Sequence, residues 1–118
     1  MATRAAQLGW RGEETVRRWL ERRGFVFVER NFRTRYGEID LIMRDGDVLV
    51  FIEVKTRRSR TFGAPEESIS ERKLERMEAA AEAFCQRHAQ IGPRRIDLAA
   101  CEWTDWRDGW QIRYTRNI

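Results

Sequence analysis

Histidine is almost absent from this chain: His88 is the only one in 118 residues. That excludes a histidine-rich metal centre and leaves a Ser–His or Cys–His nucleophile without support. Cysteine is scarce as well. Cys85 and Cys101 sit in apolar settings without CxxC spacing, so reduced core thiols are expected rather than a disulfide scaffold or a structural zinc site. Long apolar runs are missing. The longest is Val48-Leu49-Val50-Phe51-Ile52, far short of the roughly 20 residues of a membrane-spanning helix. The N-terminal residues form no apolar signal core, so a secretory leader is not expected and a cytoplasmic location is. Proline occurs twice, at Pro65 and Pro93, and lysine twice, at Lys55 and Lys73. There are no repeats and no low-complexity tracts.

What remains is 42% apolar and 36% charged residues with a net charge of +4. This is the profile of one small soluble domain spanning 1–118. The charge is unevenly spread. Residues 1–35 carry +5, residues 36–53 carry −4, residues 54–95 carry +4 and residues 96–118 carry −1. An acidic island between basic flanks suits a divalent cation beside a polyanion such as nucleic acid. The plainer alternative is an arginine-rich solvated surface that reflects genome composition.

Periodicity predicts a helix over 4–23, with Leu8, Val16, Trp19 and Leu20 on one face and Gly24 as its stop. Phe25–Val28 reads as a strand. Residues 36–44 and 47–55 read as two more, divided by Asp45-Gly46, a strong two-residue hairpin signal. A polar loop follows over 57–68. The second helix is predicted over 71–89, with Ser70 as N-cap and an Ile69–Leu74 staple. Its apolar face holds Met77, Ala81, Phe84, Cys85 and His88, the last as an ordinary, partly buried histidine. Strands at 94–103 and 109–116 flank a Thr104–Asp108 turn. The order α-β-β-β-α-β-β implies an α/β domain, a mixed sheet flanked by helices.

The hairpin is the informative part. With Asp45-Gly46 as its loop, Arg44 faces Asp47 and paired residue numbers sum to 91. Asp40 then faces Phe51, and Glu38 faces Glu53. Positions 38, 40 and 42 share one face with 51, 53 and 55, while Ile39, Leu41, Met43, Val50, Ile52 and Val54 form the core face. Asp40 and Glu53 become diagonal neighbours about 7–8 Å apart, with Lys55 two residues beyond Glu53. Glu38, Asp40 and Glu53 thus converge beside a lysine. Like charges so placed are destabilising, and a bound Mg²⁺ with its preference for oxygen ligands would offset them. A solvated polar sheet face is the alternative.

Lysine usage points to the same place. Against 21 arginines, Lys55 is an exception that a site needing a compact, tunable ammonium would preserve. Lys73 is the other exception. It falls at N3 of the second helix, where a cation opposes the helix dipole. It reads either as a phosphate contact or as a tolerated surface lysine.

Asp40 followed by Glu53-Val54-Lys55 after a hairpin resembles the PD-(D/E)xK nuclease motif, with Ile39 in place of the proline. Almost the whole chain further resembles the YraN family of small bacterial proteins, itself similar to archaeal Holliday-junction resolvases. The matching stretches are Gly12-Glu13, Asn31-Phe32-Arg33, Gly37–Ile42, Val50–Arg57, Lys73 and Arg95-Ile96-Asp97. The Gly37–Asp40 and Phe51–Arg57 blocks are the specific ones. The resemblance implies a restriction-endonuclease-like fold in which Asp40 and Glu53 bind Mg²⁺ or Mn²⁺. It further implies that Lys55 orients or activates the attacking water and that Glu13 assists, with Glu14 the weaker candidate. It gives Glu38 no role.

The expectation is a metal-dependent DNA endonuclease, with branched DNA such as a junction among its substrates. Arg57, Arg58 and Arg60, directly after the motif, are the expected phosphate contacts together with Lys73. Resolvases act as dimers, so a homodimer is expected on that basis. Trp103, Trp106 and Trp110 are candidates for its interface or for capping the core. A DNA-binding module of the same fold without catalysis is the alternative function, and a protein-interaction factor a third.

Overall fold

The structure, a computed structural model, describes residues 3–58, 69–104 and 109–118. Helix α1 spans Arg4–Glu21, strands β1, β2 and β3 span Val26–Arg33, Glu38–Asp45 and Val48–Arg58, helix α2 spans Glu71–Arg87, and β4 and β5 span Arg94–Thr104 and Gly109–Thr115. This is the predicted order. The strands form one sheet in the order β1-β2-β3-β4-β5. Neighbours are antiparallel except β3 and β4, which run parallel. A parallel pair needs a crossover, and α2 supplies it.

Local chemistry sets the helix ends. Thr3 accepts the Ala6 N–H at α1's start, and Ser70 accepts the Lys73 N–H at α2's. At Gly24, φ is +93°. Its N–H donates to the Glu21 carbonyl and that of Phe25 to the Leu20 carbonyl, the Schellman closure that favours glycine.

The sheet is covered on both faces. Against α1, which contributes Val16 and Leu20, lie Phe25, Leu41, Met43, Val50, Ile52, Ala99 and Cys101. Against α2 lie Phe32, Ile39, Ile42, Leu49 and Phe51, with Met77, Ala80, Ala81, Phe84 and Cys85 from the helix. Phe32 and Phe51 meet Phe84 edge-on, at centroid distances of 5.1 and 5.8 Å. The expectation of a single core face is therefore corrected. Central β3 is buried on both sides, which is what an unbroken run such as Leu49–Ile52 signifies.

The hairpin register also differs from the expectation. Asp45 pairs with Val48 and Leu41 with Ile52, so paired numbers sum to 93 and the two-residue loop is Gly46-Asp47. Gly46 takes φ +60°, and glycine at the first central position is what a II′ turn requires. Ile42, not Asp40, faces Phe51. The slip is by two, an even number, so Leu41, Met43, Val50 and Ile52 still share a face.

Other corrections are local. β1 runs on to Arg33, through a bulge between Phe27 and Glu29. β3 runs to Arg58, two residues into the expected loop. The remainder of that loop and residues 105–108 of the expected turn, Trp106 included, lie outside the described residues. His88 is exposed, its ring 4.3 Å from that of Phe84 and tilted to it by 37°. Both cysteines are free and buried. No helix among the described residues is long and apolar enough to cross a membrane.

Candidate functional site

The site grows out of a break in β2. Phe32 and Ile39 pair across β1 and β2, and both pack toward α2. Two residues on, Leu41 packs toward α1. Alternation therefore fails between Ile39 and Leu41, opposite Asn31, whose φ of +54° marks the same irregularity in β1. Asp40 occupies the break. The β2–β3 ladder closes at Leu41–Ile52, and beyond it the Val54 N–H donates to Asp40 Oδ2 at 2.8 Å. A side chain here takes the place of a ladder carbonyl, which draws the Asp40 carboxyl onto β3.

That movement makes Asp40 and Glu53 hydrogen-bonded neighbours. Glu53 is largely buried, with 13% of its side chain exposed. Burial pushes its carboxyl up to about 8, reinforced by the hydrogen bond to Asp40 and then by the Asp40 charge, against the opposing charges of Lys73 and Lys55. Lys73 Nζ lies 3.6 Å from Glu53 Oε2. Lys55 follows two residues later, on the same face of β3. The sequence-predicted trio of Asp40, Glu53 and Lys55 is thus gathered at one place, together with Lys73 from the first turn of α2.

Glu13 comes from α1 on the other face. Burial raises its pKa first, and the Asp40 charge adds to that, so it belongs to the same electrostatic neighbourhood. It is held by Arg30, whose Nε donates to Glu13 Oε1 at 3.1 Å while Nη1 donates to Glu14 Oε2 at 2.9 Å. Arg30 also donates to the Trp10 carbonyl and lies over the Trp10 ring. This clamp of β1 on α1 has no sequence signal beyond two adjacent glutamates. Glu14 is further engaged by Arg17 and Arg18.

Glu38 does not converge with the pair. Its exposed side chain lies 3.4 Å from Arg33, because the break at Asp40 ends the regular alternation on which the expected convergence depends. Among the described residues no three His, Cys, Asp or Glu side chains are gathered closely enough to hold a metal ion. The site offers a carboxylate pair, not a triad. Arg57 and Arg58 are exposed at the end of β3, while Arg60 lies outside the described residues. Trp103 and Trp110 pack on each other at 5.3 Å, with Arg11 over Trp103.

A second polar centre lies in β4. Asp97 is fully buried. It accepts from Arg95 Nε (3.1 Å), the Tyr114 hydroxyl (2.5 Å) and the Asn117 N–H (2.8 Å). Arg95 also reaches Asp45 at 3.0 Å. A buried carboxylate met by three kinds of donor is satisfied, and the cluster ties the last residues and the hairpin end to β4.

A family model described as "Uncharacterised protein family UPF0102" matches residues 12–101. That stretch includes Glu13, Asp40, Glu53, Lys55 and Lys73. A UPF0102 protein of Syntrophomonas wolfei is 49% identical over 75 residues, covering 64% of this chain and 65% of that protein. One of Clavibacter michiganensis is 43% identical over 102 residues, 86% of each chain. One of an Arthrobacter species is 46% identical over 94 residues, 79% of this chain and 80% of that one.

Proposed function

We propose a function for a chain that belongs to the UPF0102 family, the one the YraN resemblance points to: a divalent-metal-dependent endodeoxyribonuclease with a restriction-endonuclease-like fold. One observation carries the reading. Two carboxyls from adjoining strands, Asp40 and Glu53, are pressed into hydrogen-bond contact beside two ammonium groups, in a chain that otherwise uses arginine. Two carboxylates this close disfavour each other's ionisation, and a divalent cation between them removes that cost. The pair therefore fits Mg²⁺ or Mn²⁺, which commonly take one or two protein carboxylates and complete their shell with water and substrate phosphate.

Bound by Asp40 and Glu53, the metal would supply Lewis-acid stabilisation of charge developing on a phosphate. The chain's own groups do the rest. Lys55 holds the attacking water as a single point donor. Lys73, at the start of α2, draws the scissile phosphate toward Glu53. Glu13, its pKa raised by burial and then by the Asp40 charge, is placed to exchange a proton on the α1 side. Water oxygen bonds to phosphorus as one P–O ester bond breaks, leaving a phosphate end and a hydroxyl end. Arg57, Arg58 and Arg60 hold flanking phosphates.

A DNA-binding module without catalysis is the second reading. It is favoured by the engagement of Glu13 with Arg30, which leaves a pair rather than a triad of carboxylates. Single-turnover cleavage of duplex, flap and four-way junction DNA with Mg²⁺ or Mn²⁺ separates the two. The expected result is metal-dependent nicking that Lys55→Arg lowers by about 100-fold or more, since misplacement by about 1 Å costs that much. DNA affinity should be largely retained, because guanidinium keeps the charge. Equal rates for wild type and Lys55→Arg would remove Lys55 from the chemistry. No nicking of any substrate would leave the binding module.

A further inference from the structure

The turn that feeds β2 into the site presents groups that the reading above does not use. Thr34 closes residues 34–37 on themselves. Its N–H and its hydroxyl both donate to the Gly37 carbonyl at 2.9 Å, and its Oγ1 accepts from the Tyr36 N–H (3.0 Å) and the Gly37 N–H (3.2 Å). Gly37 lies flush on α2, where a Cβ would come within 3.1 Å of both the Arg76 Cβ and the Arg76 carbonyl. The turn is thus fixed internally and against the helix.

This rigid turn holds Tyr36 out, 49% exposed. The Arg35 guanidinium donates to the Tyr36 hydroxyl at 2.8 Å and lies 5.0 Å from its ring centroid. Beside it is an open depression of about 370 Å³, walled by Arg33, Arg35, Tyr36 and Arg76, with Glu38 as the one acid in its lining. Glu38 and Arg33 form an exposed pair, weakly held and easily exchanged for another anion. Both walls lead to the carboxylate pair. Glu38 is two residues before Asp40. Arg76 is one helical turn beyond Lys73, which touches Glu53.

We infer that this depression receives an unpaired nucleotide of a DNA strand, its base stacked on Tyr36 and its phosphates held by Arg33, Arg35 and Arg76. The inference rests on the nuclease reading for its register, which sets the next phosphate at Asp40 and Glu53. Three properties favour this occupant. An aromatic face stacks any base. Arginines around it match a phosphate chain and repel cationic partners. The turn is preorganised, so little ordering cost attends binding. Bases inside an intact duplex already stack on one another and cannot offer a face to Tyr36. The depression therefore selects gapped, splayed or branched DNA over plain duplex.

The test is metal-free binding, in EDTA, by the full chain and by Tyr36→Ala, Tyr36→Phe and Tyr36→Leu. The probes are an intact duplex and the same duplex with splayed single-stranded arms, carrying 2-aminopurine at successive positions beside the fork. Wild type should prefer the splayed probe and quench 2-aminopurine at one or two positions. Tyr36→Ala should weaken splayed-DNA binding by about tenfold or more, leave duplex binding within twofold and abolish the quenching. Tyr36→Phe should match wild type and Tyr36→Leu should match Tyr36→Ala. Equal losses on both probes, no loss at all, or leucine serving as well as phenylalanine would overturn the stacking role. The two readings separate cleanly. Tyr36-dependent preference without metal-dependent nicking ends the catalytic reading alone. Nicking that is indifferent to Tyr36 ends this inference alone. Failure of wild type to bind either probe ends both.

Discussion

Glu53 shows how a single residue can be legible in a sequence while its state is not. Its face, shared with Lys55 and adjoining Asp40, follows from the period of two along a strand, a local property. Its raised pKa follows from burial and from Asp40, which only the assembled sheet provides. The same division holds elsewhere. Arg30's hold on Glu13 and Glu14 spans 17 and 16 residues, and Asp97 finds its donors at Tyr114 and Asn117, 17 and 20 residues on. No local period encodes such contacts. The state of Glu53 has a measurable consequence for stability. Its folded pKa is near 8, above the ordinary 4.5, so the folded state keeps a proton that the unfolded chain gives up. Stability is full below about pH 4.5, falls as pH rises toward 8, and is level above. A tenfold change in proton affinity between the two states is worth about 1.4 kcal/mol, so the metal-free protein should lose several kcal/mol across that window. Glu53→Gln stays neutral and should show a much smaller fall, with a remainder left by Glu13, which is raised in the same direction. Urea melts from pH 4.5 to 8 in EDTA measure it. A fall of the same size in Glu53→Gln would mean that Glu53 is ionised in the folded protein.

At the scale of elements, both helices and all five strands are readable, because amphipathic period, caps and turn residues are local signals. Gly24 and Ser70 work as their types suggest. Register is the weak point. Asp45-Gly46 and Gly46-Asp47 are both plausible two-residue loops, and a positive φ at Gly46 serves either, so the pairing of Asp45 with Val48 makes the choice. The break at Asp40 is hidden for a related reason: Glu38, Asp40 and Ile42 alternate in sequence, but Asn31 in the neighbouring strand disturbs the pairing. Gly12 is a case where packing outweighs propensity. It sits inside α1, where alanine is favoured over glycine by about 1 kcal/mol. Yet a Cβ at Gly12 would lie 2.4 Å from Thr56 Oγ1 and 2.7 Å from Thr56 Cγ2. Thr56 is β-branched and stiff in its strand, so α1 must move. Gly12→Ala should therefore destabilise by roughly 1–3 kcal/mol, despite its better helix propensity. Adding Thr56→Ala removes the obstructing atoms and should recover most of the loss. Thermal melts of the two single variants and the double variant decide this. If the two losses simply add, the close approach of α1 to β3 is not what makes glycine necessary.

At the scale of the whole molecule, the fold turns an alternating charge sequence into a surface. The acidic island becomes the paired ends of β2 and β3, and the basic stretches on either side become α1, the Thr34–Gly37 turn and the end of β3. Two covered sheet faces leave an opening where the β2–β3 ladder stops at Leu41–Ile52 while β3 runs on, and that is where Asp40, Glu53, Lys55 and Lys73 gather. Basic groups near such an acidic pair can act on DNA chiefly by displacing counterions from its phosphates. Each phosphate neutralised adds about 0.9 to the steepness of log K against log salt for duplex DNA. Replacing Arg57, Arg58 and Arg60 together by alanine should flatten that slope by roughly 2–3, with little change in its shape across sequences, since phosphate contacts carry no base information. Asp40→Asn adds no contact and should leave the slope close to wild type, although affinity rises slightly as a negative charge is lost. Anisotropy titrations at several salt concentrations, with a fixed duplex, give both numbers. A triple variant with the wild-type slope would move the binding surface away from the end of β3. Among the described residues further exposed cations lie at the end of α1 and just beyond it, at Arg18, Arg22 and Arg23. DNA bound there would not need the end of β3, so an unchanged slope would count against Arg57, Arg58 and Arg60 as phosphate contacts.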